Sequence, residues 1–517
     1  MRNYNGVLVS CEGARALDAE AIAEWGLEPF ALVESAGRAC ASVFAKEFLK
    51  NNHEKSSFAV LAGSGNNSAD ALVMLKTLIF DNYASAPDCA VFTARLTSTG
   101  KNDKNPLSQA MLALEKMDVP IIDWGLSNPE RTKSALSEKD YIIDGITGTG
   151  LSGPLRNTAL EMANLVNLIK NMVNRPLFIS IDMPSGSFEA WKMEMPIISA
   201  DATLAIEPQK ACLYAPIIRL HAGKILAVNG IFPPALSKKY LFAELVTWES
   251  ARRAIPGVSK TAHKYDRGLV EIWAGSPGAT GAVILSAKGA QTAGAGLVRL
   301  IVDPSIYPIV APSCSGVMAV PGPSEDGRFT PNAVLLGPGW GKSEDRVRIL
   351  EKSLLLEEKG TPLILDADAI ALAKGVVFHG YAILTPHVGE FSAYSGLSKD
   401  EILSSPIRAL KDFSAKANAV ILLKSHVMYV SAPDGRIGII DGMNPVLAAG
   451  GSGDVLAGFC SSIAARPGAG AFDAYACARA AGALLVQAAK SSGGKFADPQ
   501  EIAQAAAAVA GAAWLEA

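Results

Sequence analysis

A glycine-rich segment in the C-terminal part of the chain carries the clearest chemical signal. The run GGSGD, from Gly450 to Asp454, directly precedes an apolar segment of helical character. Glycines let a backbone wrap an anion, and the positive end of a helix dipole stabilises negative charge. The segment therefore predicts an anion site. Asp454 is its candidate functional carboxylate, the structural alternative being an ordinary first-turn acidic residue.

Other polar residues follow apolar runs throughout the chain. Asp144 and Asp182 each close such a run and lead into a Gly-rich loop, and His387 lies in TPHVGEF after another. Ligand sites of open α/β sheets lie outside the carboxyl ends of the strands. Helix capping is the structural alternative for each Asp, and a satisfied core or surface position is the alternative for the His.

The turn AGSGNNSAD, which begins at Ala62, lies between an apolar run and a helical pattern. Such a turn points backbone amides at an anion, although a lone Gly-x-Gly is weak evidence and an ordinary turn is the alternative. Asn66 and Asn67 strengthen the functional interpretation, because amide groups offer oxygens to a cation and N–H groups to a phosphate.

Alternating strand and helix patterns predict an α/β fold with parallel sheets covered on both faces. With 517 residues, we expect two large α/β domains, at 1–235 and 256–517, with a connector at 236–255. The expected strands of the first domain are Ser57–Ala62, Cys89–Ala94, Tyr141–Asp144, Leu177–Asp182, Ala202–Ile206 and Lys224–Val228. Those of the second are Leu269–Ala274, Gly296–Val302, Ala333–Leu336, Pro362–Asp366, Ala382–Leu384, Ala419–Leu423, Val427–Ser431 and Ile437–Ile440, followed by two or three Ala-rich helices.

Composition narrows the class of protein. The 47 basic and 50 acidic residues leave a net charge of −3, so neither nucleic acid nor an anionic membrane is an expected partner. Seven scattered cysteines without a CxxC pair favour reduced thiols. The N-terminal residues lack a signal-peptide pattern, and the longest apolar stretch is too short to span a membrane. We therefore expect a soluble, cytoplasmic protein.

The order of the N-terminal motifs, VESAGRA, GSGNNSADALV, DGITGTGLSGP, IDMPSG and ADATLAIEPQK, resembles the YjeF N-terminal family of NAD(P)H-hydrate epimerases over about residues 10–235. The resemblance implies a Rossmann-like three-layer α/β/α domain. It also implies a K⁺ ion held by Asn67, Asp144 and Ser185, with Asp144 catalytic as well. The implied substrate contacts are Asn66, Asn67, Ser68, Ala69, Asp70, Gly148, Thr149, Gly150, Leu151, Ser152, Gly153, Pro154 and Asp182.

One loop departs from that family, whose usual sequence there is GNNGGDG. Ser68, Ala69 and Ala71 stand where the family has glycine. If these positions required φ > 0, or close approach of a ligand, the three added Cβ atoms would cause strain or crowding.

The motifs GPGWG, LILDADA, TPHVGEF and NPVLAAGGSGD resemble the YjeF C-terminal family of ADP- or ATP-dependent NAD(P)H-hydrate dehydratases over residues 255–515. The resemblance implies a ribokinase-like domain with Asp454 as the catalytic base and Mg²⁺ accompanying the nucleotide. The implied hydrate contacts are Ala282, Gly339, His387 and Asp454. The implied nucleotide contacts are Lys424, Ser425, His426, Val427, Met428 and Gly453.

Together the resemblances imply a bifunctional repair enzyme. It would epimerise the R and S hydrates NADHX and NADPHX and dehydrate the 6S form to NAD(P)H with ADP or ATP, as a homo-oligomer. Two alternatives remain open. One is a ribokinase-like small-molecule kinase, and the other is a dehydratase whose N-terminal domain only binds nucleotide.

Overall fold

The protein was analysed as a computed structural model, which describes residues 6–49, 54–94, 104–323, 329–466, 472–493 and 496–515. The chain divides into two units, Met1–Ala243 and Glu244–Ala517. The boundary lies inside the segment 236–255, which has short elements of its own and is not an extended linker.

Parallel strands form the main sheet of the first unit, in the order β4-β3-β2-β5-β6-β7-β9. The strand order reverses direction between β2 and β5, which is where ligands bind in open α/β sheets. The strands are β2 Phe58–Ala62, β3 Ala90–Thr93, β4 Ile121–Asp123, β5 Tyr141–Gly145, β6 Leu177–Ile181, β7 Ala202–Ile206 and β9 Lys224–Val228.

Helices cover both faces of this sheet. Successive strand side chains point to opposite faces, so Val60 packs with α2, α3 and α4 while Leu61 packs with α5 and α6. The result is a three-layer α/β/α unit. Its helices are α1 Cys11–Ala23, α2 Pro29–Phe44, α3 Asn66–Phe80, α4 Pro106–Lys116, α5 Pro129–Ser137, α6 Asn157–Lys170, α7 Pro216–Arg219 and α8 Pro234–Lys239.

The first unit also contains a short parallel pair of strands outside its main sheet. Strand β1, Val7–Val9, pairs with β8, Gln209–Lys210, so that Val9 faces Lys210. Because α1 follows β1 directly, this pairing holds α1 beside the segment that follows β7.

The second unit contains a larger mixed sheet in the order β13-β12-β11-β14-β15-β16-β17-β18-β19-β10. Strands β11 to β17 run parallel, and β18 is antiparallel to both of its neighbours. The strands are β10 Ala243–Leu245, β11 Leu269–Trp273, β12 Leu297–Val302, β13 Met318–Pro321, β14 Ala333–Leu336, β15 Leu363–Leu365, β16 Ala382–Leu384, β17 Val420–Leu423, β18 Val427–Ser431 and β19 Ile437–Asp441.

Helices α10, α17, α18 and α19 bury one face of this sheet, and α12 and α16 pack on strands from the other. The unit's helices are α9 Trp248–Arg252, α10 Thr280–Thr292, α11 Tyr307–Ser313, α12 Glu344–Glu358, α13 Asp368–Leu372, α14 Val388–Ser395, α15 Lys399–Ser404, α16 Pro406–Ala417, α17 Ser452–Ala464, α18 Ala474–Ser491 and α19 Pro499–Trp514.

The predicted α/β class is therefore confirmed for both units. Each predicted strand is present within about one residue of its expected bounds. Five short strands of the described residues, β1, β4, β8, β10 and β13, were not predicted. The three Ala-rich C-terminal helices are α17, α18 and α19.

Candidate active sites

The start of α17 is fixed by unusually close packing against α10. A Cβ on Gly289 would lie 2.5 Å from the Val455 carbonyl oxygen, and one on Gly458 would lie 2.3 Å from the Ser286 carbonyl oxygen. Helix α10 begins just after the carboxyl end of β11, and Gly453 of α17 lies against Lys424, which follows β17, so both helices begin at the carboxyl edge of the sheet. Gly451, at φ +102°, caps α17 and leads directly to Asp454 in its first turn.

A buried ion pair lies beside this helix end. Lys424 Nζ is 2.6 Å from Asp366 Oδ1, which also accepts a hydrogen bond from Thr385 Oγ1 at 2.7 Å. These three residues immediately follow the neighbouring strands β17, β15 and β16. Glu390 lies farther from the ammonium, at 3.9 Å. The carboxyl edge of the sheet thus carries one cation among several carboxylates.

The surroundings of Asp454 change its acidity. Burial, reinforced by the charge of Asp366 and opposed by that of Lys424, raises the pKa of Asp454 to about 6. A Cβ on Gly453 would lie 3.2 Å from Lys424 Nζ, which places the ammonium against this turn. Asp454 can therefore take up and release a proton near neutral pH, as a general base requires.

Two predicted hydrate contacts lie side by side. Gly339 has φ +57°, and a Cβ there would approach the Ala282 Cβ to 3.0 Å. Ser276 Oγ donates to the Gly339 carbonyl at 2.8 Å, which ties the loop after β14 to the loop after β11. Ala282 is in the first turn of α10, at the same helix end as Asp454.

His387 has a structural contact that its sequence context did not reveal. It caps α14, its Nδ1 accepting from the amides of Gly389 at 2.9 Å and Glu390 at 3.1 Å. It also forms an isolated bridge with Lys424. Its side chain remains 59% exposed, so a ligand contact is compatible with the cap.

The predicted nucleotide segment splits into two parts. Ser425 and His426 lie in the turn after β17, whereas Val427 and Met428 are buried in β18. The Met428 side chain packs in the core near Gly482. Side-chain contact of Val427 or Met428 with a nucleotide is therefore excluded in this conformation, because strand alternation and burial direct both side chains into the protein.

The first unit contains a cavity of about 510 Å³ at the carboxyl end of its sheet. Its walls come from the loops after β2 and β5, which flank the switch in strand order, and from α1, α2 and the segment after β7. The predicted contacts found on the wall are Asn66, Asn67, Asp70, Gly148, Thr149, Gly150, Leu151 and Asp182.

Other predicted contacts lie outside this wall. The loop leaves the cavity after Leu151, so that its next residues, Ser152, Gly153 and Pro154, do not line it. Ser68 and Ala69 are fully buried within α3 and point away from the cavity, Ser68 Oγ donating to the Gly145 carbonyl at 2.7 Å. Helical periodicity explains the difference, because Asn67 and Asp70 share one face of α3 while Ser68 and Ala69 lie on others.

The same geometry accounts for the three departures from the family loop. Ser68, Ala69 and Ala71 have helical backbone, and none has positive φ. Ala69 and Ala71 belong to the apolar core between α3 and its neighbours. Their Cβ atoms therefore neither strain the loop nor crowd the cavity.

The predicted K⁺ ligands converge around the loop after β5. The Asp144 carboxylate accepts from Ser180 Oγ at 2.7 Å and from both the amide and the Oγ of Ser185. Asn67 Nδ2 donates to the Thr147 carbonyl at 2.9 Å. Asp144 is 1% exposed and is not part of the cavity wall, so in this conformation it positions the loop and does not face a ligand there.

Sequence reasoning missed four charged residues of the cavity, namely Arg15, Asp18, Glu207 and Lys210. Lys210 Nζ lies 2.7 Å from Asp182 Oδ1, and Asp18 of α1 lines the same space. Lys210 ends the motif ADATLAIEPQK and could have been found there. Asp18 has no local signal, because the β1–β8 pairing brings α1 to the cavity.

Comparisons with known proteins agree with these geometries. The family model described as NAD(P)H-hydrate dehydratase matches residues 270–507, and the one described as YjeF-related protein N-terminus matches residues 29–212. The chain is 28% identical to a bifunctional NAD(P)H-hydrate repair enzyme Nnr from Salinibacter ruber, covering 87% of this chain and 86% of that protein. It is 29% identical to one from Gloeobacter violaceus, with 89% of each chain covered.

The chain belongs to the NAD(P)H-hydrate repair family. That membership confirms the predicted fold class, a Rossmann-like unit followed by a ribokinase-like unit. Among solved structures, the ADP/ATP-dependent NAD(P)H-hydrate dehydratase from Bacillus subtilis, co-crystallised with ATP/Mg²⁺, is 25% identical. The structural match covers 51% of this chain and 96% of the Bacillus subtilis chain, with a TM-score of 0.45.

Within the described ranges, no helix combines the length and apolarity needed to cross a membrane. No group of three or more His, Cys, Asp or Glu side chains in that part of the chain is arranged to hold a metal ion. The oxygens available to K⁺ near Asn67 would instead be amide, hydroxyl and carbonyl groups with one carboxylate.

Proposed function

We propose that this protein repairs NADHX and NADPHX. The second unit dehydrates the 6S hydrate at the expense of ADP or ATP, and the first unit interconverts the R and S hydrates. The observation that carries the proposal is Asp454, a carboxyl group with its pKa raised to about 6 in the first turn of α17. Family membership supports the assignment of one activity to each unit.

In the dehydration, Asp454 and the backbone amides at the start of α17 have different roles. Asp454 takes the proton from the ring hydroxyl as that oxygen attacks the terminal phosphoryl group. The amides at the start of α17 stabilise the charge on the transferring group. The ring hydroxyl becomes a phosphate ester. Inorganic phosphate then leaves from C6 and a proton from C5, and the C5–C6 double bond of NAD(P)H is restored.

The turn after β17 binds the nucleotide. The Lys424 ammonium is held by Asp366, so we assign its contact with the nucleotide to the backbone, together with Ser425, His426 and Gly453. A bound Mg²⁺ would neutralise phosphate charge during transfer. The hydrate would lie against Ala282, Gly339 and His387.

In the first unit, the cavity wall supplies the hydrate site. Asn66, Asn67, Asp70 and Asp182, with residues 148–151, surround a space of about 510 Å³. Asn67, Asp144 and Ser185 would hold K⁺ through hard oxygen donors, and a rise in Tm with K⁺ but not with Na⁺ would test that site. Homo-oligomerisation remains a prediction.

The products distinguish this function from that of a small-molecule kinase. The purified protein is incubated with the S hydrate of NADH and ATP, and NADH absorbance and inorganic phosphate are both followed. We expect one phosphate for each NADH formed. Accumulation of a phosphorylated hydrate without NADH would instead identify a kinase.

A further inference from the structure

Three carboxyl groups and one lysine meet in the cavity of the first unit. Asp18 on α1, Asp70 on α3 and Asp182 after β6 line the cavity together with Lys210. Lys210 Nζ donates to Asp182 Oδ1 at 2.7 Å and to the Ile206 carbonyl at 3.2 Å. Both members of this ion pair are 6% exposed. One buried cation therefore faces three carboxyl groups.

The Asp70 side chain, unlike that of Asp182, has no ion-pair or hydrogen-bond partner among the described residues. It is 9% exposed and lines the cavity, and its side chain accepts no hydrogen bond in the described part of the chain. Burial first, and then the charges of Asp182 and Asp18, raise the pKa of Asp70 well above its ordinary value. The protonated form of Asp70 is therefore favoured, and this group can donate its proton into the cavity.

Asp18 lines the cavity from another element, α1. Burial, opposed by the charge of Lys210 and reinforced by that of Asp182, raises the pKa of Asp18 to about 6. At neutral pH Asp18 is mostly ionised, so it can accept a proton. The cavity thus holds one carboxylic acid and one carboxylate, the combination that separate environments create in acid–base sites.

We propose that Asp70 is the acid and Asp18 the base that interconvert the R and S hydrates in this cavity. The Lys210–Asp182 ion pair positions the two groups and fixes the local charge. This inference rests on the proposed epimerase function of the first unit and assigns its proton transfers.

The proposed step begins when the C6–O bond of the hydrate breaks. Its electron pair leaves with the oxygen, which takes the Asp70 proton and departs as water, while the ring nitrogen lone pair forms a C=N bond. Water then adds to the opposite face, its oxygen forming the new C–O bond and its proton passing to Asp18. Return of that proton to Asp70 through cavity water closes the cycle without any oxidant or reductant.

Other ionisable groups lie near Asp18 and Asp70. Arg15 and Glu207 also line the cavity, and Arg15 donates to the Thr149 carbonyl at 2.7 Å. The buried Cys40 thiol lies near Asp70, and burial raises its pKa well above the ordinary value, so that it stays neutral. Of the carboxyl groups around this cavity, Asp18 is the one whose raised pKa, about 6, lies close to the neutral range.

The test uses the full chain with the R hydrate of NADH supplied alone and ATP present. The chain's own dehydratase reports S hydrate as NADH, after correction for spontaneous epimerisation. A parallel assay with the S hydrate at each pH establishes that dehydration is faster than epimerisation, so that the titration of Asp454 does not shape the profile. We compare the wild type with Asp18→Asn and Asp70→Asn, and with Glu12→Gln as a control on the exposed side of α1. Rates are measured from acid to neutral pH, together with Tm.

We expect the wild-type rate to rise through about pH 6. Each Asn variant should lose about 10²-fold or more, the scale of a lost general acid or base. Asp18→Asn should also remove the rise near pH 6, which a purely structural loss would not do. Glu12→Gln should keep both the rate and the pH profile.

The outcomes separate this inference from the function on which it rests. A wild type no faster than the spontaneous reaction would overturn epimerase activity itself. A wild type that accelerates epimerisation, with Asp18→Asn equally fast and equally pH-dependent, would overturn only the acid–base assignment. Asp18 is half-buried, so its variant stays informative even if Asp70→Asn fails to fold.

Discussion

The Lys424 ammonium and the Asp366 carboxylate lie 2.6 Å apart across the carboxyl ends of β17 and β15, with β16 between them. This ion pair lies beside the first turn of α17 and acts on Asp454, because Asp366 raises the pKa of Asp454 and Lys424 lowers it. The sequence predicted Lys424 as a nucleotide contact. Its observed partner makes it a residue that controls the charge around the proposed base.

Asp454→Asn tests the base directly. We expect dehydration of the S hydrate to fall by about 10²-fold or more, with nucleotide binding retained. The wild-type kcat/KM should rise with pH through about 6, since Asp454 must be ionised to accept a proton.

The direction in which Asp454→Asn changes the thermal stability also follows from this pKa. A carboxyl group with a raised folded-state pKa favours folding only while protonated, and that contribution is lost as the pH rises through about 6. At pH 7, Asp454→Asn should therefore leave Tm unchanged or higher. Near wild-type turnover in this variant would contradict the assignment.

Lys424→Met distinguishes two roles of this lysine, namely lowering the pKa of Asp454 and contacting the nucleotide. Loss of the cation should raise the pKa of Asp454 and move the rising limb of kcat/KM to higher pH. Asp366, 2% exposed, would lose its buried counterion, at a cost of about 3–5 kcal/mol in unfolding free energy.

The exposed Lys359→Met is the control, and its effect should stay within about 0.5 kcal/mol. Lys424→Arg preserves the charge if the Met variant does not fold. A weakened nucleotide Kd with an unmoved pH profile would show that Lys424 serves the nucleotide instead.

Two variants of His387 separate its role as the N-cap of α14 from a role in binding the hydrate, because one removes the cap and the other can restore it. His387→Ala removes the Nδ1 acceptor at the start of α14 and should cost about 0.5–2 kcal/mol, whereas Asn can restore a cap. If His387 also contacts the hydrate, both variants should change KM or kcat. An Asn variant with wild-type stability and kinetics would leave the residue with a capping role alone.

The loop departures are tested by restoring three glycines at Ser68, Ala69 and Ala71. These positions lie in helical backbone, so each Ala→Gly change should cost about 1 kcal/mol, and the buried Ser68 hydrogen bond would also be lost. We expect lower stability in a denaturant titration and no faster consumption of the R hydrate. A gain in epimerisation would show that the natural Cβ atoms obstruct the substrate.

The fold was predictable because the parallel strands are continuous apolar runs bounded by polar turns. The strands that were missed, such as β1 and β8, are two or three residues long and exist only through their pairing. Asp454 and Asp182 were predictable from their position after Gly-rich or apolar segments. Asp18 was not, because its place in the cavity depends on that pairing and on no local pattern.

Side-chain direction set a second limit on prediction. The segment 424–428 was treated as one nucleotide contact, yet the structure turns Lys424 towards Asp366 and buries Met428 in the core. Likewise, Asn67 lines the cavity while Ser68 points away from it. A motif shows which residues are near a site, whereas helix or strand phase decides which of them face it.

The most direct test of two activities in one chain uses an equal mixture of R and S hydrates of NADH with ADP or ATP. NADH absorbance is followed at an enzyme concentration that exhausts the S hydrate well before spontaneous epimerisation contributes. We predict that essentially all of the hydrate becomes NADH in the wild type. Conversion that stops at half, and then continues only at the spontaneous rate, would contradict the account of the first unit, and no NADH at all would contradict that of the second.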